Sequence, residues 1–135
     1  MIGLQELRRR RGACLRLMEE KQLDAIVIKA ADGDTAPVNG MYRYLTGEQS
    51  PEVAQVAVIP RWGEPVVICP PAPFVAHLGP DQTVFSYRFT PEVAREVAAA
   101  LCGTCGTAPR IGICAAAMTA DCMLAIREGL PNSVL

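Results

Sequence analysis

Aromatic residues are scarce in this chain. Three Phe, three Tyr and one Trp among 135 residues supply too few rings for a base-stacking platform. A dominant charge sign is missing as well. Thirteen basic and fourteen acidic residues leave a net charge of -1, with no overall field to attract nucleic acid or an anionic membrane surface. Neither partner is expected. Histidine occurs once, as His77 in a proline-rich stretch, so a zinc or two-metal centre lacks the convergent ligands it needs. A nucleophile–His–acid arrangement would have to use that same residue, and no Gly-x-Ser-x-Gly elbow supports it. Glycine-rich phosphate loops are absent after every candidate strand. No catalytic residue and no metal ligand is therefore assigned to this chain. Long hydrophobic runs are missing too: the apolar stretches are strand-sized, well short of the roughly 20 residues that span a bilayer. Arg8, Arg9, Arg10 and Arg11 interrupt the first helix, a pattern unlike a secretory leader. These features predict a soluble chain.

Cysteine is present six times, as Cys14, Cys69, Cys102, Cys105, Cys114 and Cys122. Four of the six fall in apolar helix or strand patterns, the expected core needs no staples, and no leader is evident. Reduced thiols packed as small hydrophobes, in a cytoplasmic protein, are the expectation. Cys102-Gly103-Thr104-Cys105 is the one arrangement able to carry chemistry. A redox pair needs its first thiol at a helix N-terminus, where the dipole favours thiolate; this pair falls at a helix C-terminus.

Half of the residues are apolar and a fifth charged, an ordinary globular composition for one domain. Apolar residues Leu7, Cys14, Leu15 and Met18 recur at helical spacing between Gln5 and Gln22. The continuous apolar run from Asp24 to Ile28 suits a strand covered on both faces. Ala31–Pro37 reads as a loop, and Asn39 as the cap of a short helical turn through Tyr42 and Tyr44 that Gly47 ends. Val53–Ile59 and Pro65–Cys69, joined across Trp62 and Gly63, predict a β-hairpin. Past Pro70, Pro71 and Pro73, Thr83–Tyr87 reads as a fourth strand. Thr90 caps a helix that runs to Leu101 and stops at Gly103. Arg110–Cys114 is a fifth strand, and Thr119 caps a last helix through Glu128. Val134 and Leu135 begin a sixth strand. The order gives an α/β fold, a mixed sheet of five or six strands with helices on its faces. A strand that has only begun at Leu135 predicts a chain cut at a domain boundary.

Four consecutive arginines point all round a helix, so at least one must lay its stem along the core edge while the others form a solvated face. Tyr42, Arg43 and Tyr44 could form a recognition cluster, or a core aromatic pair flanking an exposed arginine. Trp62, in a hairpin turn, either folds back on the sheet or anchors an interface.

Several of these segments together resemble a known domain. The arginine-rich helix runs into Met18-Glu19-Glu20-Lys21-Gln22-Leu23-Asp24-Ala25-Ile26-Val27-Ile28. Asn39-Gly40-Met41-Tyr42-Arg43-Tyr44-Leu45-Thr46-Gly47 follows, and then Ala57-Val58-Ile59-Pro60 answered by Gly63-Glu64-Pro65-Val66-Val67-Ile68. With Arg110-Ile111-Gly112-Ile113 and the helix ending at Leu130-Pro131, the pattern resembles the N-terminal domain of the creatinase/prolidase/aminopeptidase P family across essentially the whole chain. The resemblance implies a ribonuclease-H-like three-layer fold ahead of a "pita-bread" catalytic domain. That domain would hold divalent metal (Mn, Co or Zn), and no cofactor is expected in this chain. It also implies a homodimer, and an N-terminal domain that packs on a partner subunit and limits the active site to small substrates such as Xaa-Pro peptides. Glu48-Gln49-Ser50-Pro51 departs from the aromatic residue usual after the glycine, which favours a peptidase-like over a creatine-directed parent.

Three functions remain in view: a non-catalytic N-terminal domain of a metal-dependent Xaa-Pro peptidase-like hydrolase, a thiol module using Cys102 and Cys105, and a free-standing interaction or small-molecule-binding domain. The residues expected to face a partner or substrate are Tyr42, Arg43, Tyr44 and Trp62.

Overall fold

The computed structural model of the chain describes residues 2–30, 36–47, 55–71, 83–113 and 118–135. Residues 31–35 of the expected Ala31–Pro37 loop, with Glu48–Pro51, Val53, Pro73, His77 and Cys114, lie outside the described residues, and Ala36 and Pro37 belong to α2 rather than to a loop. Helix α1 (Leu4–Lys21) buries Leu7, Cys14 and Met18, and Gln22 closes it in the left-handed conformation, its N–H donating to the Glu19 carbonyl. Strand β1 (Ala25–Ala30), helix α2 (Ala36–Thr46), the hairpin β2 (Gln55–Pro60) and β3 (Val66–Cys69), and strand β4 (Ser86–Phe89) follow. Helix α3 (Val93–Cys105), strand β5 (Ile111–Ile113) and helix α4 (Ala120–Gly129) complete the order.

The sheet runs β4-β3-β2-β1-β5. It is mixed: β1–β2 and β2–β3 are antiparallel, whereas β3–β4 and β1–β5 are parallel. Every residue of β2 and β3 is buried because helices cover both faces, which is why these strands read as unbroken apolar runs rather than alternating ones. Alternate side chains divide between two cores. Val27, Val56, Val58 and Ile68 pack with Val97, Leu101 and Ile126 of α3 and α4. Ile28, Ala57, Ile59 and Val67 pack with Cys14, Met18, Tyr42 and Leu45 of α1 and α2. The result is the three-layer α/β fold expected, with five strands.

Four boundaries differ from expectation, each for a local reason. Helix α2 starts at Ala36, so Asn39 sits inside it rather than capping it; Pro37 is admissible in a first turn, where a missing N–H costs nothing. Gly47, at φ 80°, does end that helix, its N–H donating to the Arg43 carbonyl. Strand β4 is displaced from Thr83–Tyr87 because the Thr83 hydroxyl accepts from the Phe85 N–H, a local turn that keeps those residues off the ladder. Thr90 likewise forms a turn, accepting from the Glu92 N–H, and Glu92 takes the N-cap position of α3. Helix α3 passes through Gly103 to Cys105. The left-handed residue that stops it is Gly106, at φ 78°. At the far edge Val134 pairs in parallel with Arg110, a single bridge where a sixth strand was expected.

Candidate functional site

Two groups of the expected residues lie on opposite flanks of α1. The first surrounds the hairpin turn. Trp62 is 67% exposed, and the Arg61 guanidinium stacks on its ring, 4.5 Å from the centroid. Arg61 also reaches Glu19 at 3.8 Å, and the Arg11 Nη2 donates to the Gly63 carbonyl at 3.1 Å. The turn is thus pinned to α1 while the indole stays outward, so Trp62 does not fold back on the sheet. Asp24 anchors the same end of the sheet. Its carbonyl accepts from the Arg61 N–H and from the Cys105 thiol, and its carboxylate accepts from the Arg110 N–H at 2.8 Å.

The second group is on α2, and the structure splits it. Tyr42 is fully buried, in the core with Met18 and Phe85, so its ring is not available to a partner. The helical step places Arg43 half-buried and Tyr44 outward. Tyr44 carries the Arg10 guanidinium over its ring at 4.3 Å, and its carbonyl accepts from Arg10 Nη1 at 2.9 Å. Arg10 and Arg9 share the Glu6 carboxylate. Hydrogen bonds from both guanidiniums hold Glu6 at a pKa of about 2, below the ordinary carboxylate range. Of the four arginines, Arg10 and Arg11 lie along the body of the protein while Arg8 and Arg9 face solvent.

The cysteine pair occupies the last turn of α3. Cys102 is exposed and Cys105 half-buried. Desolvation, the largest influence, raises the Cys105 thiol pKa, opposite to what a nucleophile or metal ligand needs. Among the described residues no three His, Cys, Asp or Glu side chains converge on a point a metal could occupy. The residues described here do not fit the divalent metal that the family resemblance implies for a catalytic domain.

Reading the sequence missed Arg61, whose neighbour Trp62 in a turn was the available signal: a turn indole needs a cation or an apolar surface to cover a face. It also missed Leu17 and Met41, which are exposed. Leu17 lies one step off the Leu7–Cys14–Met18 stripe and so escapes a single-face reading.

Similar architectures are known. The N-terminal domain of the cytoplasmic peptidase PepQ from Mycobacterium tuberculosis superposes with a TM-score of 0.69 at 17% identity, over 94% of this chain and 90% of that one. An Xaa-Pro aminopeptidase structure from Streptococcus pyogenes gives 0.67 at 23% identity, over 97% and 90%. The dipeptidase PepE from Mycobacterium ulcerans gives 0.66 at 21% identity over 97% of this chain but 34% of that one; the chain spans about a third of that enzyme. No curated protein matches by sequence. The family model of the creatinase/prolidase N-terminal domain matches residues 10–135, and the chain belongs to that family.

Proposed function

We propose that this chain is the non-catalytic N-terminal domain of a metal-dependent, cytoplasmic Xaa-Pro peptidase-like hydrolase, and that it serves assembly and limits access to the active site. The observation that carries the reading is the near end-to-end match to creatinase/prolidase N-terminal domains, alongside the dipeptidase of which the chain spans only about a third. No helix among the described residues is long and apolar enough to cross a membrane, which fits this location. The assembly role rests on Trp62: an indole left two-thirds in water but fixed by Arg61 is the kind of preorganised aromatic–cation pair that dominates binding hot spots. The expected assembly is a two-fold dimer.

Sedimentation equilibrium of the chain and of Trp62→Ser tests the role. The expected result is a dimer that the substitution converts to monomer with the circular dichroism and melting temperature unchanged. A wild-type monomer, or a dimer that survives while the fold loses stability, contradicts it.

A further inference from the structure

The last turn of α3 carries two thiols and abuts the hairpin turn that presents Trp62. Cys102 and Cys105 are three positions apart, which on a helix sets their Cα atoms about 5 Å from each other. That lies inside the roughly 4.4–6.8 Å that a disulfide bridges. Their Cβ atoms, about 5–6 Å apart at this spacing, must close by about 1–2 Å for the bond to form. The turn has room for that adjustment: a Cβ added at Gly103, between the thiols, or at Gly106, just past them, would meet nothing within 4 Å. Cys102 is exposed and lines a groove of about 530 Å³ between α3 and α4, wide enough for a small disulfide compound to reach its sulfur. Cys105 is half-buried, and its thiol donates to the Asp24 carbonyl at 3.5 Å.

The same Asp24 carbonyl accepts from the Arg61 N–H at 2.8 Å. The Thr104 methyl lies 3.8 Å from where a side chain on Gly63 would begin. The residues on either side of Trp62 are thus tied to the thiol-bearing turn, one through Asp24 and one through Thr104. We propose that Cys102 and Cys105 are a reversible oxidation site for low-molecular-weight disulfides, and that closing their bond shifts the Trp62 turn. The Cys102 thiolate attacks one sulfur of the small disulfide; that S–S bond breaks, a mixed disulfide forms, and the expelled thiolate takes up a proton. Cys105 then gives its proton to water, and its sulfur attacks Cys102 Sγ, closing the intramolecular bond and expelling the second small thiol. Two electrons pass from the cysteine pair to the small disulfide, which leaves as two thiols. Burial keeps Cys105 from initiating, and its adjacency to Cys102 offsets its low thiolate fraction in the second step. Closure draws the Cys105 sulfur off the Asp24 carbonyl and moves Thr104 against Gly63. The helix C-terminus does not stabilise a thiolate, which suits a bond that is held rather than passed on. Transient, redox-sensing disulfides of this kind do occur in the cytosol. The shift of the turn does not require Trp62 to meet a partner.

The test treats the chain with oxidised glutathione and follows its mass and the emission of Trp62, the chain's one tryptophan. The chain is expected to lose the mass of two hydrogens, and peptide mapping to join Cys102 to Cys105. Trp62 emission should shift in step with closure and return with dithiothreitol. Cys105→Ser should stop at one glutathione on Cys102, and Cys102→Ser should keep the reduced spectrum, both folded by circular dichroism. Any of five results on the wild type or Cys102→Ser would overturn the proposal: no reaction; a glutathione that stays on wild-type Cys102; a bond to any other cysteine; a closed Cys102–Cys105 bond with unchanged emission; or the same spectral shift in Cys102→Ser.

Discussion

Gly47 shows how much one residue can decide. It adopts φ 80°, and a Cβ there would sit 3.3 Å from a Leu7 methyl carbon. The end of α2 and the packing of α1 therefore share a position that rejects a side chain. Gly47→Ala is expected to destabilise the fold by about 1–2 kcal/mol, from the left-handed backbone cost, with the contact to Leu7 adding to it. Urea unfolding checks this, and a loss under about 0.3 kcal/mol would mean the turn relaxes freely. The cysteines separate in the same local terms. Burial raises the thiol pKa values of Cys14 and Cys122, and of Cys105 despite a Thr104 contact that lowers it, while Cys102 lies open. A thiol reagent at pH 8 followed by peptide mapping should modify Cys102 well before Cys14, Cys105 or Cys122. Early modification of Cys105 would revive the thiol reading. Because folding raises these pKa values, the stability tied to the protonated thiols is present below their unfolded value near 9 and is lost as pH rises through the folded ones.

At the scale of elements, α1 organises its two flanks: Arg11 and Glu19 hold the hairpin, and Arg10 holds Tyr44. Glu6 ties the second flank together, and its pKa is lowered from 4.5 to about 2 by Arg9 and Arg10. A lowered carboxylate pKa means a contribution to stability that is present above pH 4.5 and lost as pH falls towards 2. Wild-type melting temperature should therefore drop more steeply than that of Glu6→Gln across that window; parallel curves would show that the pair contributes nothing at this exposed site. Elements whose signals agree were legible in the sequence. Helix α1 has apolar residues Leu7, Cys14 and Met18 on one face, and the hairpin has two buried runs flanking Gly63. Elements with competing signals were not. Gly103 and Gly106 both resemble a helix stop, and only Gly106 takes a left-handed φ; Thr104 meanwhile stays in register by donating its hydroxyl to the Ala100 carbonyl. Thr83 and Val84 have strand-like side chains, but the Thr83 hydroxyl diverts the backbone into a turn. The candidate site divides on the same principle. Tyr42 and Tyr44, two positions apart on a helix, cannot both face one side, so the sequence identified the aromatic segment without saying which ring faces out.

For the whole molecule, the described residues form a continuous three-layer body with a core on each face of the sheet, and among them no three His, Cys, Asp or Glu side chains gather where a metal could bind. Its distinguishing surface feature is the Trp62 indole, 67% exposed beneath the Arg61 guanidinium. The central proposal is that the chain serves as the non-catalytic N-terminal domain of a hydrolase. The most direct test is to incubate the purified chain with Ala-Pro, alone and with Mn²⁺, Co²⁺ or Zn²⁺, and to follow proline release. The account predicts release no faster than in buffer with the same metal. Turnover that co-elutes with the chain and disappears in His77→Ala would contradict it.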